Sequence, residues 1–148
     1  MKKLKKTSIP IKIFKVDDNG FHLSLTAKIN GKKCNLIVDT GASRSVFDKK
    51  RIKDLQGDAS VIPTEKLSTG IGNNQLKSEL VKLNHLQLGD LQIENYEAVI
   101  IDLSHVNSAY SQNGNRVIEG ILGSDIMKKH KAIIDYDKKE IRLTFKTK

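Results

Sequence analysis

A short apolar run that ends in a carboxylate is the sequence feature that most limits how this chain can fold. The run Leu36–Val38 is followed directly by Asp39, Thr40 and Gly41. Branched aliphatic residues are typical of β-strands, and a glycine after such a strand lets its backbone N–H approach a neighbouring carboxylate closely. We therefore predict that Asp39 emerges at the end of a strand, in a tight loop.

Much of the remaining chain also shows the two-residue periodicity of strands. Apolar and polar residues alternate over 9–15 and again over 21–29. The pair Asn30-Gly31 predicts a tight hairpin that leads into a strand over 32–38. Two further strands around a charged turn are predicted within 132–145. These patterns predict a mostly β chain.

Helical patterns are fewer and shorter. Apolar residues spaced among charges predict a surface helix over Ser45–Leu55, and a second short helix is expected to run through Lys131 with Ser124 or Asp125 as its cap. The polar segment Ser104–Arg116 is predicted to be an exposed loop. We therefore expect one or two short helices beside the strands.

The length of the chain favours a single domain. With 148 residues, 38% of them hydrophobic and none of them Trp, the chain is long enough for one core built mainly from Ile, Leu and Val. We predict one domain over 1–148 with a core at about 21–143. Residues 1–8 form a basic leader that is a candidate for disorder.

The net charge of +9 is concentrated at both ends of the chain. Residues 1–50 contain twelve basic and four acidic residues, and residues 126–148 contain eight and three. Aromatic residues make up only 5% of the chain and are not interleaved with the cations, so a solubilising surface is favoured over a nucleic-acid interface. We predict no nucleic-acid partner.

The cysteine and histidine content argues against disulfides and metal sites. Cys34 is the only cysteine, so no intrachain disulfide can form, and a reducing cytoplasm is the simplest expected location. We find no signal-peptide pattern and no apolar stretch near the roughly 20 residues that a membrane span needs, so no membrane partner is predicted. The histidines are scattered without metal-ligand spacing, and we expect neither a metal nor a cofactor; they are His22, His85, His105 and His130.

By itself, an Asp-Thr-Gly triplet is a weak signal, because the same residues form ordinary turns. A second motif changes the interpretation: Leu36–Ser43 and Gly120–Asp125 together resemble the paired motifs of the retropepsin-like aspartic proteases. The resemblance is closer to cellular and bacterial members than to viral ones. It implies a closed β-barrel-like acid-protease fold, a homodimer and a metal-free endopeptidase that acts on polypeptides.

The resemblance also implies roles for individual residues. Asp39 corresponds to the catalytic residue, supported by Thr40 and Gly41 in the same loop. The apolar part of the second motif corresponds to a structural loop beneath the active site; it comprises Ile121, Leu122 and Gly123. Residues 67–83 read as a hairpin with a glycine-bearing tip, which corresponds to the substrate-binding flap; its central residues are Gly70, Ile71 and Gly72.

A single Asp-Thr-Gly triplet predicts that two chains share one active site. Hydrolysis of an amide needs one group to take a proton from water and another to protonate the carbonyl oxygen, which two adjacent carboxylates can do together. Asp102 follows a similar aliphatic run but lacks the Thr-Gly, so we interpret it as a structural counterpart. Asp125 is interpreted as a helix cap and not as a second catalytic acid.

Another class of function stays open at this point. An intact motif does not prove that two carboxylates meet, so the alternative is a catalytically silent dimer of the same fold that binds peptides or acts as a scaffold. The intact Asp39-Thr40-Gly41 triplet favours the protease, because a silent protein gains nothing from placing two like charges together.

Overall fold

The structure analysed is a computed structural model that describes residues 2–56, 61–63 and 79–147. This part of the chain is mostly β, as predicted. The strands are β1 Leu4–Lys15, β2 Phe21–Ile29, β3 Lys32–Val38, β4 Val46–Asp48, β5 Val61–Pro63, β6 Glu79–Leu88, β7 Leu91–Ile101, β8 Gly120–Leu122, β9 Ile133–Asp135 and β10 Glu140–Lys146. The helices are α1 Ile52–Gln56, α2 Ser104–Gln112 and α3 Ser124–Lys129.

Six of these strands close into a barrel. Their order is β6-β7-β4-β8-β3-β2, and β2 returns to β6 through the pairs Lys28↔Gln87 and Ile29↔Leu86. Strand β5 extends the sheet beyond β6, while β1, β10 and β9 extend it beyond β2. Closure leaves the barrel strands without free edges, and their inward side chains form the main core, which includes Ile29, Leu36, Phe47, Leu83 and Leu122.

One short strand of the barrel wall, β8, lies between β3 and β4. Strand β8 runs parallel to β3, with Val38 opposite Leu122, and antiparallel to β4, with Phe47 opposite Gly120. A Cβ atom on Gly120 would lie 2.6 Å from the Val46 carbonyl oxygen, which is closer than atoms can pack. Only glycine therefore allows these backbones to approach so closely.

Helix α2 replaces the exposed loop that the sequence predicted over Ser104–Arg116, so that prediction is wrong. The apolar residues Leu103, Val106 and Tyr110 follow a helical spacing and pack on Ile37 and its neighbours, outside the barrel. The helix begins where the buried carboxylate of Asp48 accepts a hydrogen bond of 2.9 Å from the Leu103 N–H. With few apolar residues among many polar ones, the helix depends on this tertiary contact.

Two other local predictions are corrected. The helix expected over Ser45–Leu55 is divided into strand β4 and helix α1, because residues 46–48 pair with β7 and β8. Residues 4–8, expected as a basic leader that was a candidate for disorder, form the first part of β1 and pair with β10. The described chain therefore has three helices, where one or two were predicted. None of the described helices is long and apolar enough to cross a membrane.

We predict that replacing Phe47 will strongly destabilise the barrel. Its side chain is 0% exposed, whereas Phe21 is 59% exposed on β2 and serves as the matched control. Phe47→Ala should lower the free energy of unfolding by about 3–5 kcal/mol because it leaves a cavity, while Phe21→Ala should change it by less than about 0.5 kcal/mol. Urea unfolding followed by circular dichroism measures both values; equal losses would contradict the position of Phe47 in the core.

Candidate active site

The Asp39 carboxylate stands at the end of β3 in a loop that folds back on it. The Gly41 N–H donates a hydrogen bond of 2.9 Å to Asp39 Oδ1, and the Ala42 N–H donates one of 3.2 Å to the Asp39 carbonyl oxygen. A Cβ atom on Gly41 would lie 3.3 Å from the same carboxylate oxygen. The side chains of Asp39 and Thr40 are exposed in this single chain. The loop therefore presents an exposed carboxylate at the end of the strand.

The second sequence motif lies directly against this loop. The Asp39 N–H donates a hydrogen bond of 3.0 Å to the Leu122 carbonyl oxygen, and the Ser124 N–H donates one of 2.7 Å to the Ala42 carbonyl oxygen. A Cβ atom on Gly123 would lie 2.6 Å from the Arg44 carbonyl carbon, so the two backbones are in close contact. The structure thus brings together the two motifs that are far apart in sequence.

A buried polar network beneath the loop was missed in the sequence. Ser45, which is 1% exposed, donates its backbone N–H (2.9 Å) and its hydroxyl (2.8 Å) to Asp125 Oδ1. The Ser45 hydroxyl in turn accepts a hydrogen bond of 2.8 Å from the Gly123 N–H, and the Tyr96 hydroxyl donates one of 2.6 Å to Asp125 Oδ2. This network joins the segment after the Asp39 loop to the start of α3.

Asp125 is therefore not a helix cap, and that prediction is wrong. Helix α3 begins after Gly123 with no side-chain capping bond. The Asp125 carboxylate instead accepts the three hydrogen bonds from Ser45 and Tyr96. Burial, together with the bond to Asp125, raises the pKa of Tyr96, so this phenol keeps its proton and stays a donor at neutral pH. Nothing in the local sequence marks Ser45 as the partner, because it lies 80 residues away along the chain, just before β4.

Helix α2 adds an aromatic cluster on the same side as Asp39. Tyr110 packs edge-on against Phe14 and His22, with ring centroids 5.6 and 5.9 Å away, and a hydrogen bond of 2.9 Å joins its hydroxyl to His22 Nδ1. Burial, and then the negative charge of Asp39, raise the pKa of Tyr110. The Tyr110 side chain is therefore within electrostatic reach of the candidate catalytic carboxylate.

The other predicted residues are placed as follows. Asp102 follows β7 and accepts hydrogen bonds from the N–H and hydroxyl of Ser104, at the start of α2. These bonds lower the pKa of Asp102. The Asp102 carboxylate is therefore occupied by hydrogen bonds to the first residue of α2. The flap residues Gly70, Ile71 and Gly72 lie outside the described residues. Within the described ranges, no three His, Cys, Asp or Glu side chains are grouped in a way that would hold a metal ion.

A comparison with protein families finds one match. A family model described as "Aspartyl protease" matches residues 25–126, a stretch that contains both motifs. The comparison with curated proteins yields no significant match.

Similar folds occur among solved structures. A retropepsin-like aspartic protease from Rickettsia conorii has a TM-score of 0.59 and 19% identity, covering 100% of this chain and 97% of that one. The retroviral protease-like domain of Ddi1 from Leishmania major gives 0.51 and 19%, covering 78% and 82%. The protease of EIAV, in complex with the inhibitor HBY-793, gives 0.53 and 18%, covering 76% and 91%. The predicted retropepsin fold is therefore confirmed.

We predict that the polar network stabilises the loop. Ser45→Ala removes a hydroxyl that serves Gly123 and Asp125, leaving buried groups without a partner, so the free energy of unfolding should fall by about 1–3 kcal/mol. Ser111→Ala, on the exposed face of α2, is the matched control and should change it by less than about 0.5 kcal/mol. Thermal and urea unfolding test both variants, and an unchanged Ser45→Ala protein would contradict this role.

Proposed function

Because this chain belongs to the aspartyl protease family, we propose that it is an endopeptidase in which Asp39 residues of two copies hydrolyse a peptide bond. The observation that carries the proposal is the exposed Asp39 carboxylate, held outward by the Gly41 N–H at the end of β3. A rigidly supported carboxylate with an open side is suited to meet a second copy of itself.

The need for a second copy follows from the chemistry of the amide bond. Among the described residues, the Asp39 carboxylate has one hydrogen bond, from Gly41, and the Asp125 carboxylate nearby in the fold is already committed to Ser45 and Tyr96. One carboxylate cannot act as base and acid in the same step. Two copies of Asp39 would share one proton, because two like charges that close together do not both ionise.

In the proposed reaction, the charged carboxylate takes a proton from water while the protonated one donates its proton to the substrate carbonyl oxygen. The water oxygen bonds to the carbonyl carbon and forms a neutral tetrahedral diol. Proton transfer to the amide nitrogen then breaks the carbon–nitrogen bond, and a diol hydroxyl returns its proton to the pair. Thr40, exposed in the single chain, would hydrogen-bond across the dimer axis and hold both loops in register.

We propose an extended polypeptide as the substrate. Such a chain would lie across the paired loops and bond as an added strand, beneath flaps formed around Gly70–Gly72. The cytoplasm is the proposed location, consistent with a single cysteine whose thiol is buried; burial chiefly raises the pKa of Cys34 to about 12, so it stays protonated and unreactive.

A silent peptide-binding or scaffold dimer is the second candidate. It would use the same fold and dimer, but Asp39 would have no chemical role. The two candidates predict different results when the Asp39 charge is removed. For a protease, the change abolishes cleavage and leaves the fold and peptide binding unchanged. A silent dimer has no cleavage that depends on Asp39.

We predict that Asp39→Asn abolishes proteolysis. The amide cannot accept a proton from water, so cleavage should fall by at least about a hundredfold, the scale of general acid–base catalysis. Asp102→Asn is the matched control, since it also follows an aliphatic run but lies at the start of α2, and it should keep its activity. Mass spectrometry of an unstructured peptide mixture, incubated at acidic to neutral pH, measures the cuts. Identical cleavage by wild type and Asp39→Asn would exclude the proposed mechanism.

We also predict that activity depends on the pairing of two intact chains. Specific activity of the wild type should rise with protein concentration, because only the dimer has both carboxylates. Addition of excess Asp39→Asn chain should inhibit the wild type by forming mixed dimers with one carboxylate. The same excess of a heat-denatured Asp39→Asn chain is the control. Activity that is independent of concentration and of the mutant chain would indicate a monomeric mechanism.

A further inference from the structure

The extension of the sheet outside the barrel brings the two basic ends of the chain together. Strand β1 pairs with β10, so that Lys6 lies opposite Thr144, and Arg142 lies between Ser8 on β1 and Ile133 on β9. Residues directly opposite one another on paired strands point to the same face of a sheet. The other face of these strands packs into the core. The outer face therefore combines cations that are far apart in sequence.

An open cavity of about 310 Å³ lies on this outer face. Its volume is at the lower end of the range of about 300–1,000 Å³ that is typical of small-molecule sites. Three cations, two aliphatic side chains and one hydroxyl line it; these residues are Leu4, Lys6, Lys131, Ile133, Arg142 and Thr144. No carboxylate is among them, and neither of the two ion pairs that join described residues to each other involves its cations. The lining of the cavity is therefore positive.

The Arg142 side chain has an unused hydrogen-bond donor here. Its Nε atom is buried, and it is the one buried side-chain nitrogen or oxygen of the described residues that has no hydrogen-bond partner. Buried polar groups are nearly always paired, so an orphaned donor indicates a missing acceptor. A guanidinium group binds the oxygens of carboxylates and phosphates in a forked geometry. Arg142 as a whole is half-buried and lines the cavity, so an anion there would meet the accessible part of its guanidinium group.

Apolar side chains lie beside these cations. Leu4 is 61% exposed and Ile133 is 54% exposed, and they are two of the four large hydrophobic residues with such exposure in the described chain. The lining contains no aromatic side chain, so the stacking that single-stranded nucleic acids use is not offered there. The cavity thus joins a cationic part to an aliphatic part.

We propose that this cavity binds an amphiphilic anion, meaning a carboxylate or phosphate group carried on an aliphatic chain. The anionic group would accept hydrogen bonds from Arg142, Lys6 and Lys131, and the aliphatic chain would cover Leu4 and Ile133. The ligand is either a free amphiphile or an anionic lipid of a bilayer, which share this chemistry. The site uses no residue of the Asp39 loop, so it stands independently of the proposed protease activity.

Binding of decyl phosphate to the full chain tests the proposal. Isothermal titration calorimetry below the micelle concentration should show binding of decyl phosphate but not of decanol or inorganic phosphate alone at the same concentrations. Arg142→Gln should weaken binding by roughly tenfold, the effect of losing one charged hydrogen bond. Arg116→Gln is the matched control, because Arg116 is exposed and lines a different cavity, and its affinity should stay within about twofold of wild type. Circular dichroism checks folding, and the double variant Lys6→Gln/Lys131→Gln serves if Arg142→Gln does not fold.

A second measurement identifies the source of the ligand. Co-sedimentation with phosphatidylglycerol vesicles but not with phosphatidylcholine vesicles, lost in the cavity variants, would support a bilayer lipid. Binding of decyl phosphate without co-sedimentation would support a free amphiphile. The proposal is wrong if decyl phosphate does not bind, if decanol binds equally well, or if the cavity variants bind like Arg116→Gln. If a second copy of the chain covers this face, decyl phosphate will not bind, and the proposal is wrong in that case too. Sedimentation of the cavity variants as monomers would reveal such a contact between copies.

Discussion

The hydrogen bond from the Asp39 N–H to the Leu122 carbonyl oxygen is the contact on which the candidate active site depends. Asp39 lies one residue beyond β3, where the strand no longer holds it, so its position is set by the strand that runs parallel to β3. That strand, β8, is itself held on its other side by β4. A loop supported in this way has its carboxylate positioned by strands on both sides of β8, which is what the proposed chemistry of Asp39 would need.

The close approach of these backbones explains the composition of the second motif. Gly120 lies against the Val46 carbonyl oxygen and Gly123 lies against Arg44, and at each position a Cβ atom would collide with backbone. Between them, Leu122 is fully buried in the core. The motif therefore has a glycine on each side of Leu122. The glycines allow close contact between backbones, and Leu122 packs into the barrel core. The polar groups below it are satisfied by Ser45 and Asp125.

The environments of the carboxylates separate structural roles from chemical ones. Asp48 is 3% exposed and accepts hydrogen bonds from the backbone of Leu103 and Arg51, and Glu119 is 8% exposed and pairs with Arg51. Both buried carboxylates therefore connect segments of the chain that are distant in sequence. Asp39 is instead exposed, with a single hydrogen bond from its own loop among the described residues. The cationic cavity lies elsewhere, on the extension of the sheet, so the fold separates the Asp39 loop from a surface with its own chemistry.

By itself the sequence determined the features that depend on neighbouring residues. The alternating strands, the Asn30-Gly31 hairpin and the position of Asp39 at a strand end follow from local periodicity and turn chemistry, because those act over a few residues. Resemblance of the two motifs to a family predicted the fold. Tertiary structure alone decided that 46–48 form a strand, that α2 is a helix and that Asp125 serves Ser45, since each depends on a partner distant in sequence. It also decided that Lys6, Lys131 and Arg142 share one cavity, because only the pairing of β1 with β10 places the two ends side by side.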